Sequence, residues 1–135
     1  SLNLRRIRKA ALRILTELGL PDAELSVLLV NDVQIQELNR EYLHRNKPTN
    51  VLAFPMRQGE FPTLHPNLLG DLVISVETAR RQSNRFGLSE METIVLLMIH
   101  GILHLLGYEH ERTKQGARKM TLKQKELFGR VLQNS

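Results

Sequence analysis

None of the 135 residues is a cysteine. That absence excludes disulfides and thiolate metal ligands and fits a reducing, cytoplasmic location. Any bound metal must therefore be held by histidine, carboxylate or water. Long apolar stretches are missing too: the longest run, Ile94 to Ile99, is followed at once by His100, far short of the ~20 residues of a membrane span. The amino end, Ser1 to Gly19, is Arg-rich and amphipathic, with neither the apolar block nor the cleavage site of a signal peptide. A soluble protein without a membrane partner is expected. Internal repeats, low-complexity tracts and linkers are also lacking, so residues 1–135 are expected to form one domain, large enough to bury a core without staples. The first residue is serine, not methionine, which points to processing or to residues missing in front.

Charge is unbalanced in the other direction. Nineteen Lys and Arg against fourteen Asp and Glu give a net charge of +5. This favours an anionic partner, with nucleic acid or a phosphorylated substrate the obvious choices. Solvated cationic faces produce the same count, so charge alone does not decide.

Hydrophobic periodicity orders the chain. Leu4, Ile7, Ala11, Ile14, Leu15 and Leu18 recur at helical spacing, with arginines and Lys9 on the other faces and Gly19-Leu20-Pro21 as the stop. Glu24 to Val30 reads as a buried strand, and Asn31 or Asp32 caps a second helix ending near Leu43. Val51 to Phe54 is a brief strand near an edge, closed by Pro55. Residues 57–68, with Gly59, Pro62 and Pro66, form the longest irregular stretch and are expected to make a functional rim. Leu72 to Val76 is a further strand and Glu77 to Phe86 a polar helix ended by Gly87. Ser89 with Glu92 is a capping box opening the helix Glu90 to Leu106, whose nearly all-round apolar surface marks the centre of the fold. A last amphipathic helix runs from about Lys114 to Leu132. The fold class is α+β.

The central helix carries the most informative motif, His100-Gly-Ile-Leu-His104-Leu-Leu-Gly-Tyr-Glu-His110. Residues four apart on a helix lie about 40° apart in azimuth and roughly 6 Å along the axis, so His100 and His104 address one point. Gly107 can take the left-handed conformation that ends a helix, returning His110 towards that point. Three imidazoles leave a tetrahedral zinc one open position, which is the donor set of a catalytic site. One zinc per chain is expected, although other divalent transition metals bind similar sites.

The spacing matches the zinc peptidases with His-Glu-x-x-His-x-x-Gly-x-x-His, except that the general base is replaced by Gly101. Peptide hydrolysis by that route would lose about a hundred- to ten-thousand-fold. Cleavage of RNA tolerates the change better, because the 2′-hydroxyl is an internal nucleophile and a metal can act as Lewis acid on phosphate. Such a site also needs cations to clamp phosphate. Arg40, Arg45 and Lys47 flank the Pro48-Thr49-Asn50 loop and are the nearest candidates. Glu109 and Glu111 bracket His110, and Asp71 follows Gly70. Any of the three could orient an imidazole or serve as base. Capping and solvation suit Glu111 better. His44 and His65 have no paired spacing and are expected to be non-ligands, and Thr49 and Asn50 can simply end a helix and start a strand.

The histidine motif, the segment Lys47-Pro-Thr-Asn-Val-Leu-Ala-Phe-Pro55 and the segment Leu69-Gly-Asp-Leu-Val-Ile74 together resemble the YbeY proteins, bacterial metal-dependent endoribonucleases of ribosomal RNA maturation. The resemblance implies a single α+β domain with a central mixed sheet of about four strands surrounded by helices and a metal in a cleft. It implies a zinc-dependent, single-strand-specific endoribonuclease in small-subunit ribosomal RNA 3′-end processing and ribosome quality control. Its partners would be ribosomal RNA and the small subunit, and its state a monomer. The metal ligands would be His100, His104 and His110, and the catalytic candidates His100, Arg45 and Glu109. The family's first strand would lie ahead of Leu4, so the chain looks short at that end.

Three positions depart from the pattern. Glu109 stands where Asp is common, Ala53 where Ser is common, and Leu43 where an arginine follows the tyrosine of the second helix. Arg45 is two residues beyond. The last departure keeps open a non-catalytic ribosome-assembly factor with a structural metal, alongside a zinc hydrolase of another substrate.

Overall fold

The computed structural model describes residues 2–56, 67–108 and 113–133. Along the chain run α1 (Leu4–Glu17), β1 (Glu24–Val30), α2 (Asp32–Leu43), β2 (Val51–Pro55), β3 (Leu68–Ser75), α3 (Val76–Phe86), α4 (Glu90–Leu105) and α5 (Lys114–Gln133). β3 is the middle strand of a mixed sheet ordered β1-β3-β2, parallel to β1 and antiparallel to β2.

Strand alternation sends side chains to two layers. Leu72 and Ile74 enter the main core with α1, α4 and α5, whereas Val73 joins Val30, Leu52 and Ile35 of α2 on the other face. The larger layer is built round α4, where Ile94, Met98, Ile99, Ile102 and Leu103 have no solvent exposure. The reason is compositional: a helix apolar on nearly every side finds partners only by being surrounded. Its start is set by the expected capping box, with Ser89 Oγ accepting from Glu92 N at 3.0 Å and Glu92 Oε1 accepting from Ser89 N at 2.8 Å.

Two expectations need correction. Among the described residues the sheet has three strands, not about four. Asn3 caps α1, its Oδ1 accepting from Arg5 N at 2.9 Å, so no described strand precedes that helix and β1 forms an edge. β3 also begins at Leu68, not Leu72, and Ser75 caps α3 where strand was expected to run on to Val76. The start of β3 is held by partners remote in sequence: Leu68 and Gly70 pair with Glu24 and Leu25, and Gly70 and Asp71 with Pro55 and Phe54. Local periodicity carries no trace of them. Apart from Asn67 and Leu68, the expected irregular rim, with His65, lies outside the described residues. No single described helix is long and apolar enough to cross a membrane.

Candidate active-site cleft

An open groove of about 1300 Å³ runs between α4, α5, β2 and the turn after α2. His100, His104, Leu43, Arg45 and Lys114 line it together. Both histidines are half-buried. Their Nε2 atoms lie 2.7 Å apart, with ring centroids at 4.3 Å and planes at 70°. The helical spacing therefore does bring the two imidazoles to one point. Two nitrogens on a tetrahedral zinc, each at about 2.0–2.1 Å, are about 3.3 Å apart, so the pair fits a cation after an adjustment of well under 1 Å. Among the described residues no group of three or more His, Asp or Glu converges as a metal site. The third expected ligand, His110, and its neighbours Glu109 and Glu111 lie outside the described residues.

The turn that leads towards His110 is described. Gly107 has φ of +87°, its N–H donating to His104 O at 3.0 Å, while Tyr108 N–H donates to Leu103 O at 3.1 Å. Those two bonds define a Schellman end and need the left-handed glycine. Gly107 thus ends α4 in the expected left-handed conformation.

Gly101 has a steric reason that spacing alone did not reveal. A Cβ at this position would come within 2.6 Å of Leu72 Cδ2, and Leu72 is fully buried in β3. The α4 face that carries the base in zinc peptidases is here pressed against the sheet. Glutamate has no room.

Arg45 reaches the groove because its turn is anchored. His44 adopts φ of +59° as the cap of α2, and its N–H donates to Arg40 O at 3.1 Å. Buried Asn39 donates from Nδ2 to Lys47 O at 2.9 Å, and Gln36 donates to Asn46 Oδ1 at 3.1 Å. Arg40 and Lys47 are exposed and are not in the groove lining. Asp71 is exposed on β3 and also outside it. Asn50 works structurally, donating to Gln82 Oε1 at 3.3 Å and accepting from Val51 N at 2.7 Å. Ala53 does line the groove, where a serine would have added a hydroxyl.

Two groove residues escaped the sequence reading. Lys114 sits in the first turn of α5, and Gln124 nearly three turns further along, with its Nε2 2.6 Å from His100 Nδ1. A signal for Gln124 existed. Gly116, Met120, Leu127 and Val131 are the buried stripe of α5, and position 124 falls in that stripe as its polar member.

The sequence model of the family described as Endoribonuclease YbeY matches residues 2–131. A relative from Syntrophotalea carbinolica named Endoribonuclease YbeY is 50% identical over 126 residues, covering 93% of this chain and 84% of its own. Another of that name from Geobacter metallireducens is 49% identical over 124 residues, covering 91% and 83%. The solution structure of a Thermotoga maritima protein superposes with a TM-score of 0.69 at 26% identity, covering 97% of this chain and 82% of that one.

Proposed function

The chain belongs to the YbeY endoribonuclease family, and from that premise we propose that it is a zinc-dependent endoribonuclease. Its substrate would be single-stranded ribosomal RNA, cut during small-subunit 3′-end maturation and ribosome quality control. It would work in the cytoplasm, as a monomer, with the small subunit as partner. One observation carries this reading: an open groove of about 1300 Å³ collects two facing imidazoles and two cations from three separate segments.

His100, His104 and His110 are the residues that would hold zinc. When bound there, zinc supplies a Lewis acid for a phosphate oxygen. Arg45 offers the planar fork that suits phosphate oxygens, and Lys114 a compact point charge. Among the described residues neither has an ion-pair partner, so both are available to RNA. Glu109, beside His110, is the carboxylate candidate for base or orienting group. Gly101 withholds the peptidase base, which supports RNA over peptide as substrate.

Leu43 favours a second reading. It is half exposed in the groove wall, an apolar side chain beside Arg45, and this suits a factor that holds RNA without cutting it. Cleavage assays separate the two. Zinc-loaded wild type is expected to cut single-stranded RNA faster than a structured duplex, and His104→Ala to lower the rate by roughly a hundredfold or more. Equal cleavage by both proteins would remove the nuclease assignment. Tight RNA binding without cleavage by either would favour the assembly factor.

A further inference from the structure

We propose that Gln124 is a positioning residue that selects the tautomer of His100 and so sets whether the histidine pair is open to a cation. The inference rests on the metal reading above and names a residue that reading does not use.

Gln124 is the polar member of the stripe that α5 otherwise buries through Met120, Leu127 and Val131. A primary amide left in such a stripe needs partners. It finds one at His100 Nδ1, 2.6 Å away, while His100 Nε2 is 2.7 Å from His104 Nε2. The three groups form a chain from α5 through one ring to the next.

A neutral imidazole carries one proton, so what faces Nδ1 decides what Nε2 presents. In the structure the amide nitrogen faces Nδ1. Nδ1 then accepts, Nε2 keeps the proton, and that proton can be given to His104 Nε2: the pair is closed. Turning the amide by half a revolution brings Oε1 to Nδ1. The proton then resides on Nδ1, and Nε2 presents a lone pair towards a cation. Metal-bound histidines characteristically donate their other N–H to an oxygen in this way. Glutamine is suited to both states because it carries a donor and an acceptor on one rotor. A purely apolar residue offers neither, and a carboxylate offers only the open state.

Zinc and cobalt(II) ions alone, titrated into metal-free full-length protein against a competing chelator, test the idea. Gln124→Met keeps the volume and removes both functions, and is expected to weaken binding 10- to 100-fold. Gln124→Glu keeps the acceptor and is expected to retain wild-type affinity within about threefold. Histidine ¹⁵N shifts of the metal-free proteins give a second readout, with the His100 proton on Nε2 in wild type and on Nδ1 in Gln124→Glu. Wild-type affinity in Gln124→Met, or equal weakness in both variants, would overturn the proposal. So would an unchanged His100 tautomer in Gln124→Glu. Absence of uptake by wild type would instead overturn the metal reading and take this one with it.

Discussion

Two polar clusters interrupt the packing of this domain, and they are built on opposite terms. At the carboxyl end of β3, the first residue of α2 meets the first turns of α3. Asp32 Oδ1 accepts from Ser75 Oγ and Thr78 Oγ1, both at 2.6 Å, and Oδ2 meets Arg81 Nη2 at 2.8 Å. The Asp32 N–H donates to Glu77 Oε1 at 2.8 Å. Donor faces acceptor and anion faces cation throughout, and both carboxylates sit where helix dipoles favour negative charge. In the groove, two imidazole nitrogens share one contact at 2.7 Å, and Arg45 and Lys114 stand without described anions. The first cluster completes itself on folding. On the reading proposed above, the second would take up a cation between the rings and an anion along the groove. On that reading the two clusters carry stability and function separately, and substitutions should move one without the other.

The largest expected effect lies where the two requirements meet, at Gly101. Gly101→Glu would drive a charged side chain into Leu72, and a loss of roughly 4 kcal/mol or more is expected from overpacking and burial of charge together. Denaturant melts would show it. A folded Gly101→Glu with near-native stability would mean that α4 is not held against β3 as described. Next is Asp32→Ala, which strips the buried Ser75 hydroxyl, Thr78 and Arg81 of their shared acceptor. A loss of about 2–3 kcal/mol is expected, with zinc affinity unchanged. A fall in zinc affinity would break the separation of the two clusters.

The smallest effect is a pH dependence. Burial pushes the Asp32 carboxyl up, but hydrogen bonds from Ser75, Thr78 and Arg81 and the charge of Arg81 outweigh it and hold the group below its ordinary value. A carboxyl whose folded pKa is lowered stabilises the fold above its unfolded pKa, about 3.9, and that stability is lost as pH falls through the folded value. Wild type should therefore lose stability below about pH 4 more steeply than Asp32→Asn. Parallel curves for the two proteins would show that Asp32 is not the responsible group.

Much of this division is legible in the chain because it is local. Helix spacing announces His100 and His104, Gly107 announces the Schellman end, and Ser89 with Glu92 the start of α4. What is illegible depends on contacts between distant segments. The beginning of β3 is held by pairing with β1 and β2, across Gly70, which reads locally as a breaker. Gly101 reads as a missing base until Leu72 is seen to fill its space. The Asp32 cluster joins residues more than forty apart, from Asp32 to Thr78, and in the sequence its members read separately as a cap, a strand residue and the surface of a polar helix. Gln124 is the intermediate case, a polar residue at an apolar interval, informative once the helix is known to bury that stripe.

On the proposed reading the groove, and not the Asp32 cluster, receives a cation. Thermal melts of wild type, Asp32→Ala and His104→Ala, each with and without zinc at about a hundredfold above the wild-type dissociation constant, test it in one measurement. Zinc is expected to raise the midpoint of wild type and of Asp32→Ala alike, by roughly 5–10 °C, and to leave His104→Ala where it was. An equal rise in His104→Ala, or none in wild type, would contradict the account.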